Sequence, residues 1–340
     1  MKRGRSPLLA TAVLLALAAG AARGEESDRR GELPHGGRTR SYALHLPPGF
    51  EARGALPLLL AFHGGGGNGR GFARYAGLDA LADREGFAVV YPDGTGRLPR
   101  ILTWNAGRCC GYAQEKGVDD VGFATALVDR LAGELAIDRR RVWATGHSNG
   151  AMMAYRLAAE ASERIAAVAT VAGAMNLGAF APSRPVPVLH VHSQDDPRAL
   201  YAGGLGPSFP FTRTRVLHTN VEAELARWVA RDACPAAPRV AERRVAPAGR
   251  PDAGHTATKL VYAPCDTGAE VVLWRLTGAG HGWPGGETPL PERIIGPHTQ
   301  VIDAAEEVVA FVRRFALPDE PGEPEPSGAP QAPSAATSIP

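Results

Sequence analysis

Apolar residues in this chain fall into short continuous runs, separated by longer stretches in which they recur at helical spacing. Leu56–Phe62 is almost wholly apolar, the pattern of a strand buried on both faces. Phe87–Tyr91, Arg141–Thr145, Ile165–Val171, Val186–Val191, Lys259–Tyr262 and Val271–Leu276 predict further strands, and Tyr42–Leu46 alternates like an early edge strand. Between them the spacing predicts helices over Phe72–Arg84, from Asp119 or Asp120 to about Leu135, over Ala151–Ala158 and over Asn220–Ala230. A last helix is predicted over Val301–Phe315, with apolar residues at 301, 305, 308, 309, 312 and 315. Arg97–Lys116 reads as irregular and Tyr201–Phe211 as a Gly/Pro loop. Strands alternating with helices predict an α/β fold, a mainly parallel sheet covered by helices on both faces, in a single domain.

The two ends do not fit that pattern. Residues 1–24 have a basic start (Lys2, Arg3, Arg5), an apolar stretch from Pro7 to Ala19 and small residues beyond, which is the form of a secretory signal peptide cut after Ala21 or Gly24. Its apolar run is too short to span a bilayer, and no cysteine follows it to carry a lipid. Residues 317–340 are rich in Pro, Ala, Ser and Glu with no aromatic residue, a composition that predicts disorder. A domain over residues 25–316 remains, expected to be secreted or periplasmic, monomeric and without a membrane anchor. Residues 1–24 hold four basic residues and no acidic one, so the rest carries 33 basic against 35 acidic residues. With no basic stripe, a nucleic-acid partner is not expected.

The four cysteines lie in a chain expected to be exported, where disulfides are the default. Cys234 and Cys265 flank a polar excursion and are expected to pair. The adjacent Cys109 and Cys110 read either as a vicinal disulfide or as buried thiols. No second pair has metal-ligand spacing, so neither zinc nor another metal is expected.

The sharpest chemical signal is Gly146-His147-Ser148-Asn149-Gly150, set between a predicted strand and a predicted helix. This is the sequence form of a nucleophile elbow, in which the turn around the serine is too tight for side chains two residues away on either side. The serine needs a base, and the base needs a carboxylate. His281 lies in Gly280-His281-Gly282 after one predicted strand, and Asp195 and Asp196 follow another. All would sit at carboxyl ends of strands, where open α/β sheets bind ligands. The residues themselves leave open which aspartate serves. His63-Gly64-Gly65-Gly66-Gly67-Asn68-Gly69 reads as an oxyanion loop. It also fits a dinucleotide fingerprint with Asp93 as the ribose acid, but that reading leaves the serine, acid and histidine without a role. His190-x-His192 with Asp195 suggests a metal site, set against the ordinary reading of two residues packed beside a sheet. His147 and the Asn149 side chain read as elbow packing, Asn149 contributing only its backbone N–H. Trp104 and Trp283 are candidates for lining the pocket, and Asp119-Asp120 for capping a helix.

Together, His63–Asn68, Trp104-Asn105-Ala106-Gly107, Cys109-Cys110-Gly111, Val118–Phe123, Gly146–Gly150 and Gly280–Gly286 make the chain resemble the secreted esterase family of polyhydroxybutyrate depolymerases, feruloyl esterases and acetylxylan esterases. The resemblance covers residues 40–315. It implies an α/β-hydrolase fold, no cofactor, and hydrolysis of an ester substrate, a polyester oligomer or a plant cell-wall ester, through an acyl-enzyme. A peptidase on the same scaffold is the alternative. It further implies Ser148 as nucleophile, His281 as base, Asp196 as acid and the N–H groups of Gly65 and Asn149 as oxyanion donors. Ser193 stands where the family usually has glycine, and Arg198-Ala199-Leu200-Tyr201 departs from its Val-Pro-Tyr, differences that bear on pocket shape. Polymer-degrading members often carry a further binding domain behind a linker. The short tail here therefore implies weak attack on crystalline polyester.

Overall fold

The computed structural model describes residues 28–208, 215–287 and 290–319. The expected signal segment 1–24, the tail from residue 320 and the end of the loop expected at 201–211 lie outside the described residues. Among the described residues fourteen strands are formed: β1 (Asp28–His35), β2 (Arg38–His45), β3 (Leu56–Phe62), β4 (Ala88–Pro92), β5 (Thr95–Leu98), β6 (Ile101–Thr103), β7 (Ile137–His147), β8 (Ala167–Val171), β9 (Val188–Ser193), β10 (Gly204–Leu205), β11 (Leu217–His218), β12 (Arg239–Val245), β13 (Thr256–Tyr262) and β14 (Val271–Thr277). Ten of them make one sheet in the order β1-β2-β4-β3-β7-β8-β9-β14-β13-β12. Its centre, from β4 to β14, is parallel, and both margins are antiparallel.

Alternation along β3 explains the two-sided core. Leu58, Leu60 and Phe62 face the helices Asp120–Glu134, Asn149–Glu160 and Val221–Arg231, while Leu59 and Ala61 face Gly69–Ala76, Leu78–Glu85 and Ala304–Val312. The side-chain Oδ1 of Asp119 accepts from the Gly122 N–H at 2.9 Å and caps its helix. Asp120, which the sequence also offered as a cap, instead forms a buried ion pair with Arg40 at 2.7 Å.

Several elements differ from expectation. The helix predicted over Phe72–Arg84 is two helices, because Gly77, with φ 71°, ends the first and starts the second. The last helix begins only at Ala304, since the Asp303 carboxylate accepts from the N–H groups of Ala305 and Glu306 and sets its start there. The strand around Tyr42 is not the edge: β1 lies outside it, and β12 closes the other margin. Both outer strands are polar on most positions, so the alternation that marks a half-buried strand is missing from them. The segment expected to be irregular holds the hairpin β5–β6 and a short helix, Gly111–Glu115. Leu317, assigned to the tail by composition, is held against β7 by its N–H to the Arg140 carbonyl at 2.7 Å. Among the described residues, no helix is long and apolar enough to cross a membrane.

Cys234 and Cys265 form a disulfide spanning 31 positions, and Cys109 and Cys110 are both buried, side by side. The strand order reverses about β3, with β4 on one side and β7 on the other. The loops after β3 and β7 therefore diverge at one carboxyl edge, where such sheets open a crevice.

Candidate active site

Ser148 occupies the turn between β7 and the helix Asn149–Glu160, with φ 57° and ψ −119°. That left-handed conformation is costly for a residue with a Cβ and persists only where its surroundings enforce it. Here the Ser148 N–H donates to the Val171 carbonyl at 2.9 Å and its own carbonyl accepts from Met152 at 3.1 Å. Neighbouring backbone leaves no room for side chains on either flank. A Cβ at Gly150 would fall on the carbonyl oxygens of Phe62 and His63, and one at Gly146 would lie 2.5 Å from the Gly150 carbonyl.

Strands β7, β9 and β14 run parallel and end on the same edge, so Ser148, Asp196 and His281 emerge together. His281 Nε2 and Ser148 Oγ are 2.8 Å apart, and His281 Nδ1 donates to Asp196 Oδ2 at 2.7 Å. Asp196 Oδ1 accepts from the N–H groups of Arg198 at 2.7 Å and Ala199 at 2.9 Å. Burial pushes the Asp196 carboxyl up, but His281 and His192 outweigh it and hold it well below the usual carboxylate range. Asp195 does other work: its Oδ2 accepts from the Gly278 N–H at 2.7 Å and ties down the start of the histidine loop. That loop is further held by the Gly280 N–H on the Pro297 carbonyl at 2.7 Å.

His147 does more than pack the elbow. Its Nε2–H donates to the His281 carbonyl at 2.9 Å and its Nδ1 faces the Tyr75 hydroxyl at 3.3 Å. Burial, with the charge of His281 acting in the same direction, pushes it down to about 3, so it stays neutral.

The glycine loop after β3 packs on the elbow, a Cβ at Gly64 lying 3.5 Å from the Ser148 Cβ. Gly66 N–H donates to Leu102 at 2.8 Å and Gly67 N–H to Gly64 at 3.0 Å, while the amides of Gly65 and Asn149 take no part in these bonds. Asn149, first in its helix, has no carbonyl one turn back to donate to. His63 braces the loop, its Nδ1–H donating to the Gly64 carbonyl at 2.8 Å and its Nε2 accepting from Gly94 N–H at 3.0 Å. Asp93, the ribose acid of the dinucleotide reading, is occupied as a brace: it accepts from Gly69 N–H and from the Ser41 hydroxyl, each at 2.7 Å.

Two expectations meet a different arrangement. Trp104 and Trp283, expected to border the pocket, are 0% and 1% exposed and offer no free face to an ester. Trp104 is instead a strut, its indole N–H donating to the His63 carbonyl at 2.9 Å. The Asn149 side chain, expected to be passive, accepts from Trp104 N–H at 2.8 Å and donates to the Trp104 carbonyl at 3.1 Å. Neither link has a sequence signal, because both join residues far apart in the chain. His190 and His192 are fully buried and hydrogen-bonded to each other at 2.9 Å. Among the described residues, no cluster could hold a metal ion.

Residues 40–241 match the family described as Esterase PHB depolymerase. The chain is 33% identical to NocK of Nocardia uniformis subsp. tsuyamanensis, a protein named as an esterase, over 83% of this chain and 81% of that one. It is 30% identical to the bifunctional acetylxylan esterase/xylanase XynS20E of Neocallimastix patriciarum, over 66% of this chain but 28% of that protein. It is 25% identical to feruloyl esterase B of Piromyces equi, over 71% of this chain and 42% of that one. Among solved structures, the acetyl xylan esterase of Aspergillus awamori shares the fold with a TM-score of 0.50 at 14% identity, over 74% of this chain and 94% of that one.

Proposed function

The chain belongs to the esterase PHB depolymerase family, and from that premise we propose a serine carboxylesterase that works through a covalent acyl-enzyme. In this reading Ser148 is the nucleophile, His281 the base and Asp196 the acid. The observation that carries it is the unbroken run of hydrogen bonds from Ser148 Oγ through His281 to Asp196, at 2.8 and 2.7 Å.

The chemistry follows from that geometry. Ser148 Oγ attacks the ester carbonyl as its proton passes to His281 Nε2. Asp196 fixes the imidazole with its proton on Nδ1 and stabilises the imidazolium that forms. The Gly65 and Asn149 amides receive the oxyanion, each such donor lowering the barrier by about 3–4 kcal/mol. His281 returns the proton to the leaving alcohol, then takes one from the water that releases the acid. Ser148→Ala tests this directly: hydrolysis of p-nitrophenyl butyrate should fall to background in a folded protein, and a fluorophosphonate probe should label only the wild type. Wild-type turnover in the variant refutes the mechanism.

We assign the substrate to plant cell-wall esters, supported by the feruloyl and acetylxylan esterases among the relatives. Short hydroxybutyrate oligomers are the second reading, supported by the family description. Hydrolysis of methyl ferulate, acetylxylan and hydroxybutyrate oligomers, ranked by kcat/KM, decides between them. We also propose that residues 1–24 are an export signal, residues 25–316 the catalytic domain of a secreted or periplasmic monomer, and residues 317–340 a tail. Amino-terminal sequencing and light scattering of the exported protein test the first and the oligomeric state.

A further inference from the structure

The triad leaves unused a pair of buried imidazoles directly behind the acid. His190 and His192 stand two residues apart on β9 and point to the same side of the sheet. His192 Nε2–H donates to the Ala199 carbonyl at 2.7 Å and lies 3.2 Å from Asp196 Oδ2, the same oxygen that takes the proton of His281 Nδ1. A carbonyl oxygen only accepts, so the Nε2 of His192 must carry hydrogen. Its Nδ1 lies 2.9 Å from the Nε2 of His190, within hydrogen-bond distance. Behind that, His190 Nδ1 faces the Thr170 hydroxyl at 2.7 Å and the Tyr155 hydroxyl at 3.1 Å. Burial keeps His190 far below the usual imidazole range, so it stays neutral.

We propose that His192 is a positioning residue for the acid, holding Asp196 Oδ2 in line with His281 and sharing that oxygen's charge. The proposal rests on the roles assigned above to Asp196 and His281. The turn around the acid is closed from inside: Ala199 gives its N–H to Asp196 Oδ1 and receives the His192 proton on its carbonyl. A leucine at 192 would leave that carbonyl unpaired and Asp196 Oδ2 with His281 as its single donor. The undivided carboxylate charge would then favour the imidazolium of His281 more strongly, and the acidic limb of the pH–rate profile would move to higher pH.

The other groups facing this pair leave the readout clean. His147, from the end of β7, and His218, from β11, are pushed down by burial to about 3 and about 4. Burial pushes the hydroxyls of Tyr155 and Tyr201 up, so both stay protonated, and Arg198 on the acid's own turn stays charged.

The test compares His192→Leu, which removes the donor, with His192→Gln, whose amide restores one near the Nε2 position. His192→Leu should lower kcat about 10- to 100-fold, as loss of a hydrogen bond to a charged group does, with KM little changed and the acidic limb raised. His192→Gln should recover most of kcat and the wild-type limb. Equal kcat and equal limbs in the two variants would overturn the proposal. Should the leucine variant fail to fold, the nitrogen spectrum of histidine-labelled wild-type protein decides, with His192→Gln identifying the signal. A proton on Nε2 supports the role, and a proton on Nδ1 alone defeats it. Failure of the triad itself is separately visible, because Ser148→Ala would then keep its activity.

Discussion

Asn149 and Trp104 clasp each other through both backbone groups of the tryptophan, its N–H donating to Asn149 Oδ1 at 2.8 Å and its carbonyl accepting from Asn149 Nδ2 at 3.1 Å. Trp104 also reaches the His63 carbonyl with its indole. One buried strut therefore joins the two loops whose amides are assigned to the oxyanion. Cys110 N–H donates to the same Trp104 carbonyl at 3.0 Å and closes the segment behind it.

Breaking the clasp should disturb chemistry more than binding. Asn149→Ala leaves the Trp104 N–H buried without its acceptor and should cost about 1–3 kcal/mol of stability. It should lower kcat with KM nearly unchanged, because the oxyanion donors act in the transition state. Steady-state kinetics with thermal unfolding checks this. A variant with wild-type kcat would show that the loops hold their geometry without the strut.

Ser148→Gly should be inactive yet no less stable than the wild type. Glycine adopts φ 57° without a Cβ penalty. Relief of about 1–3 kcal/mol of strain is partly offset by the larger backbone entropy of glycine in the unfolded chain. Denaturant unfolding of the two proteins side by side is the measurement, and a clear loss of stability would contradict the strain at Ser148.

Asp232, wholly buried at the end of the helix Val221–Arg231, should make stability fall with rising pH. Burial pushes its carboxyl up to about 7, against smaller pulls from the Val186 amide, Arg231 and Arg184. A carboxyl raised in the folded state stays protonated there up to about 7, whereas the unfolded chain releases the proton near the ordinary value. The stabilising contribution is therefore full below about pH 4 and lost by about pH 7. Asp232→Asn should flatten that slope, by an amount on the order of 2–4 kcal/mol, in unfolding curves taken across the window. An unchanged slope would place the titration elsewhere.

The Cys234–Cys265 disulfide should matter to stability and not to catalysis. It closes 31 positions, for which the chain-entropy relation gives about 3–4 kcal/mol. It sits beyond β13 at the end where Tyr262 pairs with Val271, the start of β14, whereas His281 follows the other end of that strand. The double alanine variant should unfold at a markedly lower temperature with kcat intact, and a large fall in kcat would show coupling across the sheet.

What could be read from the chain was what local physics encodes. The continuous apolar runs of β3, β7, β8, β9 and β14 declare strands buried on both faces, and Gly146–Gly150 declares a turn too tight for side chains. These patterns depend on residues within a few positions of one another. The polar margins β1 and β12 escaped, since a strand with one neighbour and little burial has no strong period to show.

Sequence alone therefore determined the fold class and brought forward Ser148, His281 and two adjacent aspartates. The residues alone left both aspartates open and the resemblance pointed to Asp196; tertiary structure directs Asp196 to the imidazole and Asp195 to the Gly278 amide. It also withdrew Trp104 into the core and turned His190 and His192 into supports for the acid. Ser148 and His281 lie 133 positions apart, and no periodicity in the chain can state which groups will meet across such a distance. Those choices are made when the loops of parallel strands converge on one edge, and each buried polar group must find whichever partner lies within reach.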